Sequence, residues 1–524
     1  MNPSEVQNLG NRNSQHSFAK IPDVNMARSQ FNRSFAIKDT FDFDYLVPLM
    51  VDEILPGDTC NISLNAFARL ATQVKPVLDN MYLDYFFFFV PTRLVWDNWE
   101  KFNGAQTDPG DSTDYTIPTV TESDPAGFQV GSIYDKFGIP TDVQYMEVNS
   151  LPLRAYNLIY NEWFRDQNLI DSVDVPKGDG PDSVTQFQLL KRAKKHDYFT
   201  SCLPWPQKGT SVSLPLGTDA PIKTDSPALG VLSIFDANNI LRTMDSSATN
   251  LTLSNTSGSS SQKLYADLSE ATAATINQFR EALMVQSLLE LDARGGTRYV
   301  EIIRAHFNVQ SPDYRLQRPE FLSGGTTQIN QHPVPQTSES NSTFQANLAS
   351  FSTASTMGNN IGFTKSFTEH GYIIGLVQAR GEVTYQQGLN KLWSRQDRFD
   401  FFWPKLQQLG EQAVLNKEIY AQGTAQDDDV FGYQERYAEY RYYPSQIKGQ
   451  FRSTYSSSLD VWHIAEEFGS LPSLNQTFIE SNTPIERSLA TAASYPHILF
   501  DGFFNYKHAR PMMTYGVPAT LGRF

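Results

Sequence analysis

The chain has little of what most enzymes and secreted proteins rely on. Its 524 residues include two cysteines, Cys60 and Cys202, too few for a disulfide framework or a cysteine-based metal cluster. It has no Gly-x-Ser-x-Gly elbow, no His-Glu-x-x-His pair and no phosphate-binding glycine loop. The most apolar run, residues 85–90, has the length of a strand and stops at Pro91. We therefore expect no membrane span, and the polar N-terminus predicts no signal peptide.

Charge is also scarce. Charged residues make up 19% of the chain and aromatic residues 13%, a balance that favours much surface buried in a core or against partners. The net charge of -15 is unevenly spread: residues 1–38 hold five basic and two acidic residues, and the chain after Asp501 holds three basic residues and no acidic one. Basic ends on an acidic body suit a shell whose termini face enclosed DNA, although short polar termini are also basic by chance.

The few groupings that resemble chemical sites have simpler interpretations. His463 precedes Glu466 and Glu467 without the spacing of a zinc site, which favours a packing role. Residues 427–429 are three aspartates that could bind a hard cation such as Ca²⁺, but no loop spacing supports more than a solvated acidic turn. Trp205, between two prolines, fits a packing anchor better than a base-stacking site. We predict no catalytic residue, no metal and no cofactor.

Hydrophobic periodicity predicts strands in most of the chain. Alternation begins at Thr40, a Gly-Asp turn follows at 57–58, and residues 81–90 form a strongly apolar strand. A helix is predicted over residues 152–166, and another with Asp267 and Glu270 as its capping box, an apolar stripe at Ile276, Phe279 and Leu283, and a stop at Gly295. Residues 323–360 are predicted to be a polar loop, before strands at 364–367 and 371–384.

Several long blocks carry more specific motifs. They are residues 40–91 with Leu-Pro-Gly-Asp at 55–58, Phe-Phe-Val-Pro-Thr-Arg at 88–93, residues 151–166, residues 197–209, residues 292–320, residues 435–453 and residues 510–518. These blocks resemble the Microviridae major capsid protein, in its gokushovirus branch. The resemblance implies a mainly β fold, an eight-stranded antiparallel viral jelly roll (a β-sandwich) with long loop insertions and several helices. It also implies a coat subunit that self-assembles into a small icosahedral T=1 shell around the circular single-stranded DNA of a bacteriophage.

The resemblance also divides the chain. Residues 1–38 are expected to form an arm inside the shell, residues 39–209 the first part of the jelly roll with a helical insertion, and residues 263–524 further helices, the remaining strands and a C-terminal arm. Residues 210–262 match the place of an insertion that protrudes at the three-fold axis, which suits a segment free of charge from 246 to 262. An ordinary long loop is the alternative. The apolar residues expected to be covered there by symmetry mates are Leu229, Val231, Leu251 and Leu253.

Two further surfaces are predicted. The basic residues of the termini should contact phosphate on the inner face of the shell; they are Lys20, Arg28, Arg33, Lys38, Lys507, Arg510 and Arg523. The segment 435–453 is dense in Tyr and Arg, the residues that favour desolvated interfaces, so Arg436, Tyr440, Arg441 and Tyr442 are expected at a subunit boundary, with Arg436 and Arg441 pairing carboxylates. A core strand with its flanking turn remains the alternative.

The expected partners follow from the resemblance. They are further copies of the chain, as pentamers, trimers and a closed shell, the single-stranded DNA genome, other phage structural proteins such as an internal scaffolding or pilot protein, and a receptor on the host cell surface. The protein would be part of the virion and be assembled in the host bacterial cytoplasm. The competing hypotheses are a β-sandwich carbohydrate-active enzyme, which would explain the acidity and the aromatic residues but not the basic ends, and a soluble DNA-binding protein, which the net charge opposes.

Overall fold

A computed structural model describes residues 28–122, 125–210, 212, 222–224, 232–235, 240–246, 251–257, 262–266, 276–296, 299–308, 316–341, 344–357, 361–491 and 494–515. The chain divides into two compact units. Unit 1 comprises Met1–Lys195, Asp313–Gly388 and Pro444–Phe524, and unit 2 comprises His196–Pro312 and Leu389–Tyr443. Unit 2 is therefore built from two insertions into the sequence of unit 1.

The strands of the described residues are, in chain order, β1 (Ser29–Asn32), β2 (Phe35–Phe41), β3 (Val47–Ile54), β4 (Thr59–Leu70), β5 (Met81–Pro91), β6 (Thr119–Thr121), β7 (Glu147–Asn149), β8 (Ile222–Thr224), β9 (Leu232–Phe235), β10 (Leu241–Ser246), β11 (Leu251–Ser257), β12 (Gln262–Ala266), β13 (Glu320–Gln328), β14 (Asn330–Pro335), β15 (Leu348–Ser355), β16 (Gly362–Ser366), β17 (Gly371–Gly381), β18 (Glu411–Leu415), β19 (Val430–Glu435) and β20 (Ile498–Arg510). The α-helices are α1 (Trp99–Phe102), α2 (Ile133–Lys136), α3 (Leu151–Ile159), α4 (Ile276–Arg294), α5 (Tyr299–Phe307), α6 (Asn416–Ile419) and α7 (Gln476–Ile479).

Unit 1 is a sandwich of two antiparallel sheets. One sheet has the order β1-β20-β4-β15-β14, with β2 also paired to β20 and β16 to β4, and the other has the order β13-β5-β17-β3. The pairing of β20 with β4 runs from Ile498↔Leu70 to Ala509↔Thr59, and β20 lies inside its sheet, between β1 and β4. The mainly β class and the β-sandwich are therefore confirmed, whereas the count of eight strands stays a prediction.

β5 carries four consecutive phenylalanines because a hydrophobic core covers each of its two faces. Phe87 and Phe89 belong to the cluster between the two sheets, whereas Phe88 belongs to a second cluster that includes α3. Phe86 meets Phe164, in the π turn after α3, edge to face with 5.0 Å between ring centroids. Because successive side chains of a strand point to opposite faces, a strand covered on both sides has no polar position to alternate with.

Three strands lie in or begin just before the region predicted as a polar loop, so the prediction for residues 323–360 is wrong. β13, β14 and β15 occupy most of it. In β15 two of the inward positions are serines, and the hydroxyls of Ser350 and Ser352 donate to Oε1 of Gln73 at 2.8 and 2.7 Å. Buried polar groups are tolerated when they are hydrogen-bonded, and such a strand has no hydrophobic alternation to read.

The start of the sandwich also falls earlier than the sequence suggests. β1 and the first part of β2 lie within the predicted arm of residues 1–38, while residues 1–27 lie outside the described residues. The predicted turn at 57–58 is present: Gly57 has φ +90°, a conformation that favours glycine, and the amide of Asp58 donates to the carbonyl of Leu55 at 3.0 Å. The predicted helix over 152–166 appears as α3 followed by the π turn Tyr160–Phe164.

Unit 2 holds a separate five-stranded sheet, in the order β11-β10-β9-β12-β8, and a two-stranded sheet of β18 and β19. Its longest helix is α4, which ends where the sequence predicts, before Gly295 and Gly296; the predicted capping box at Asp267 and Glu270 lies outside the described residues. Within the described part of the chain, no helix combines the length and apolarity that crossing a bilayer requires.

Candidate assembly and DNA-contact surfaces

The outer face of the β20-β4 sheet carries an unusual set of side chains. Alternation buries every second residue of both strands and leaves the residues between them exposed or half-buried. Asn61 lies opposite Lys507, and Asn65 lies opposite Phe503. Phe503 is 47% exposed, and Phe67, next along β4 on the same face, is 51% exposed. This face therefore presents amides, an ammonium group and two accessible rings side by side.

Further cations lie on the same sheet. Lys38 on β2 is paired with Asp501 on β20, with Nζ 3.2 Å from Oδ1, and both side chains are well exposed. Arg69 is exposed near the end of β4. An ion pair in solvent is worth little, about 0–1 kcal/mol, so a phosphate can displace Asp501 from Lys38 at small cost.

Two of the arginines predicted to contact phosphate, Arg33 and Arg510, form ion pairs with carboxylates of unit 1. Arg33 donates to Asp52 from both Nη atoms, Nη1–Oδ2 at 2.5 Å and Nη2–Oδ1 at 2.8 Å, and hydrogen bonding to Asp52 raises the pKa of the guanidinium above its ordinary value. Arg510 donates from Nε to Oδ2 of Asp58 at 3.0 Å. Bidentate and charge-assisted bonds of this kind compensate the charge locally, which leaves these two arginines less available to DNA than Lys38 and Lys507.

His508 lies buried between these two ion pairs. Arg33 Nη1 lies 3.0 Å from its Nδ1, and because a guanidinium can only donate, Nδ1 must accept and carry no proton. The ring proton is therefore on Nε2, 2.9 Å from Oδ2 of Asp58. Burial, followed by the positive charge of Arg510, lowers the pKa of His508 below its ordinary value. The ring thus lies between the two carboxylate–arginine pairs, inside unit 1.

The termini beyond these strands are outside the described residues, so the predicted contacts Lys20 and Arg523 have no placement. Arg28 is the first described residue and is exposed. Of the protrusion residues, Leu251 and Leu253 lie on β11, which pairs with β10, whereas Leu229 and Val231 lie outside the described part of the chain.

The tyrosine-rich segment divides at the boundary of the two units, and its first part belongs to unit 2. Tyr437, at φ 63°, starts a 3₁₀ turn over Ala438–Tyr440. Tyr442 is stacked on Tyr198 with 5.4 Å between centroids and 5° between planes, and burial raises the pKa of Tyr442 to about 12. Tyr440 points outward instead and is 49% exposed. One tyrosine thus anchors the segment and the next is available to a partner.

An aromatic patch surrounds Tyr440, and we define it as Phe399, Phe401, Phe402, Trp403 and Tyr440, each at least two-fifths exposed. The guanidinium of Arg395 lies 4.2 Å from the centre of the Tyr440 ring and 5.7 Å from that of Phe401. The amide of Phe402 donates to the hydroxyl of Tyr440 at 3.1 Å. These contacts fix the rings in place without covering them.

The two arginines predicted to pair carboxylates behave differently. Arg441 pairs with Glu435. Arg436 instead donates to the carbonyl oxygen of Phe399 at 3.2 Å and lies over the ring of Tyr437. All of these contacts lie within unit 2, and the bond from Arg436 reaches Phe399 of the aromatic patch. What the two arginines meet in an assembly stays a prediction.

The groupings considered for metal binding have local partners. Asp427 accepts from the amides of Gln422 and Gly423 at 2.9 and 2.7 Å, as the cap of a tight turn. His463 is buried, with Nε2 2.6 Å from the carbonyl oxygen of Phe451. Among the described residues, no cluster of three or more His, Cys, Asp or Glu side chains is arranged to hold a metal ion.

Comparison with known proteins assigns the chain to a family. The model of the family "Capsid protein (F protein)" matches residues 19–520. The chain belongs to this phage capsid protein family. It is 62% identical to capsid protein VP1 of Bdellovibrio phage phiMH2K over 98% of this chain and 100% of that relative. It is 41% identical to capsid protein VP1 of Chlamydia phage 1 and 37% identical to that of Spiroplasma virus 4, in each case over 96% of this chain and 97% of the relative.

Membership confirms the resemblance to Microviridae major capsid proteins and gives the chain a structural role, as a component of the virion that assembles into a shell, rather than a catalytic one. It also directs attention to surfaces that the sequence analysis did not single out. Asn61, Asn65 and Phe67 alternate in β4 with buried residues, a period-2 pattern whose outward half combines amides, a ring and, at Arg69, a cation. The four aromatics within residues 399–403 are a second such signal.

Proposed function

We propose that this chain is the coat subunit of a gokushovirus-like bacteriophage and forms a T=1 icosahedral shell around circular single-stranded DNA. The observation that carries the proposal is the similarity over nearly the whole chain to phage capsid proteins, together with the antiparallel sandwich of unit 1. A closed symmetric shell multiplies many modest contacts per subunit, so exposed aromatic and apolar surface on the single chain is expected.

The outer face of the β20-β4 sheet is the proposed contact with the genome. Single-stranded DNA is held without sequence preference by cations that follow its backbone and by rings on which bases stack. Lys38, Lys507 and Arg69 supply the cations, and Phe67 and Phe503 supply the rings. In a chain of net charge -15, this face and the basic termini are where attraction to phosphate is concentrated, and it would line the inside of the shell.

The aromatic patch around Tyr440 is the proposed subunit boundary. Interface hot spots are enriched in Trp, Tyr and Arg at sites from which water is excluded. The patch offers rings held by Arg395 and Arg436 and exposed on one side. Arg441 and Tyr442 would support it, Tyr442 by anchoring the segment on Tyr198.

The sheet formed by β8 to β12 is proposed as the protrusion at the three-fold axis and as the surface for host attachment. Its strands belong to one inserted stretch that is free of charge from 246 to 262. Replacing residues 246–262 with a short Gly-Ser link should leave shells intact and abolish adsorption to the host. Shells that adsorb normally would contradict the receptor role. Assembly in the host cytoplasm with a scaffolding or pilot protein completes the proposal.

The enclosed genome provides the direct test of this function. Particles purified from infected cells are treated with nuclease, and the protected nucleic acid is then extracted and digested with a nuclease specific for single strands. Protected circular single-stranded DNA in shells made of this chain supports the proposal. Protected double-stranded DNA, or shells from which this chain is missing, contradicts it.

A further inference from the structure

Helix α4 turns an apolar face to solvent. Counted from Ile276, the residues at i, i+3, i+4, i+7, i+8, i+11, i+12 and i+15 are all exposed, and this spacing places them on one face of the helix. Six of the eight residues at these positions are large and apolar, and the most exposed, Ile276 and Met284, are each 72% exposed. The eight are Ile276, Phe279, Arg280, Leu283, Met284, Ser287, Leu288 and Leu291. We call them the α4 stripe.

The last turn of α4 anchors the helix in unit 2, and the side away from the stripe is the less exposed one, with Ala282, Gln286 and Leu289 half-buried. Ala293 is buried, and Arg294 pairs with Glu411 on β18. Asp292 lies 2.7 Å from Nε2 of His306 on α5. These contacts hold the C-terminal end of the helix, while all eight residues of the stripe are exposed.

The stripe is symmetric in sequence about a point between Leu283 and Met284. If a second α4 is laid against it in the antiparallel direction about that point, each apolar residue meets an apolar residue and the two polar positions meet each other. The facing pairs are Ile276 with Leu291, Phe279 with Leu288, Arg280 with Ser287, and Leu283 with Met284. An isologous contact across a two-fold axis requires a surface to be complementary to itself in this way.

We propose that α4 packs antiparallel against α4 of a second copy of the chain, across a two-fold axis of the assembly. The stripe spans 15 residue steps, about 22 Å along the helix, and side chains with i and i+4 spacing interdigitate along such a seam. A contiguous exposed apolar strip of this length marks an interaction surface. The proposal rests on the proposed function, because it presumes that copies of the chain assemble.

Cysteine cross-linking in assembled particles tests the geometry. Met284 lies beside the proposed axis, so Met284→Cys should give a disulfide-linked dimer on mild oxidation. Ile276 lies at one end, about 22 Å from its counterpart in the partner helix, so Ile276→Cys alone should give none, whereas Ile276→Cys with Leu291→Cys should give a dimer. Val285→Cys is the matched control, since Val285 is exposed and central but off the stripe. The native Cys60 and Cys202 are both buried and should add little background.

Self-cross-linking of Ile276→Cys as complete as that of Met284→Cys would overturn the proposal, because parallel or three-fold contacts bring each position against itself. Particles in which neither Met284→Cys nor the double variant cross-links would also overturn it. Both results leave the proposed function intact, provided that the wild-type chain forms shells. If the wild-type chain forms none, the proposed function itself fails.

A charge exchange gives an independent measurement. Phe279→Lys or Leu288→Glu alone should reduce the yield of particles at least tenfold, with no loss of soluble subunit. In the antiparallel pairing the double variant sets each lysine against a glutamate of the other copy, and particle yield should recover to within about threefold of wild type. A double variant that assembles no better than the single ones contradicts the register.

Discussion

Arg154 and Asp182 form a buried, two-pronged ion pair in unit 1, with Nε–Oδ2 at 2.7 Å and Nη2–Oδ1 at 2.6 Å. The remaining guanidinium nitrogen donates to the carbonyl oxygens of Val95 and Gly178 at 3.0 and 2.9 Å. One side chain of α3 therefore ties together two separate segments, the one at Val95 and the loop that holds Gly178 and Asp182. Since neither side chain is exposed to water, removal of either leaves a buried charge without its ion-pair partner.

The first prediction follows from this pair. Asp182→Asn should lower the free energy of unfolding of the unassembled subunit by about 3–5 kcal/mol, the usual cost of breaking a buried pair by removing one partner. Denaturant titration measures it. Lys417→Met, which breaks the exposed pair of Lys417 with Asp428, is the control and should cost about 0–1 kcal/mol. Equal effects of the two changes would mean that Arg154 is satisfied without Asp182.

The second prediction concerns pH. Because the pKa of His508 is lowered in the fold, the unfolded chain takes up the proton first as the pH falls. The stability that the neutral ring contributes is fully present above the ordinary pKa of about 6.5 and is lost as the pH falls through the lowered folded-state value. The melting temperature of the subunit should therefore fall between pH 7 and pH 5. His508→Gln should flatten that slope, while His332→Gln, at an exposed histidine, should preserve it. An unchanged slope in His508→Gln would contradict the assignment.

The third prediction concerns DNA. Lys38→Ala with Lys507→Ala should reduce the DNA retained per shell without reducing the number of shells, because phosphate contacts that neutralise charge add affinity but do not build the sandwich. Phe67→Ser with Phe503→Ser should act in the same direction by removing the stacking surfaces. The ratio of absorbance at 260 nm to that at 280 nm in purified particles measures the effect, with Lys101→Ala as the control. Normal DNA content in both double variants would contradict the proposal that the outer face of the β20-β4 sheet contacts the genome.

The fourth prediction distinguishes the roles of Tyr440 and Tyr442 in the tyrosine-rich segment. Tyr440→Ala should leave the melting temperature of the subunit nearly unchanged but impair assembly, because Tyr440 is half exposed and interface rings contribute mainly where a partner covers them. Tyr442→Ala should instead lower the melting temperature by several degrees, because it removes the stacked contact with Tyr198. If Tyr440→Ala assembles like the wild type, the patch is not a subunit boundary.

The sequence was informative where chemistry is local. The apolar run of β5, the turn at Gly57 and the end of α4 at Gly295 all depend on neighbours in the chain, and each was predicted. β15 was missed because its inward serines are satisfied by Gln73, a residue 277 positions away from Ser350. No local pattern encodes such a pairing.

The same limit applies to the candidate surfaces. The basic character of the termini was visible, but the pairing of Arg510 with Asp58, 452 positions apart, depends on β20 lying beside β4. The apolar stripe of α4 was also predicted, yet periodicity cannot tell whether a helix face meets its own core or another copy. That distinction depends on which residues cover the face in three dimensions.

Electron microscopy tests the central claim most directly. The measurement is made on particles purified from cells that express this chain with the other structural proteins of its phage. The account predicts closed icosahedral shells whose wall is the sandwich of unit 1 and whose copies of α4 meet in antiparallel pairs at the two-fold axes. A folded, soluble chain that remains a monomer under these conditions, or shells that form without it, would contradict the account.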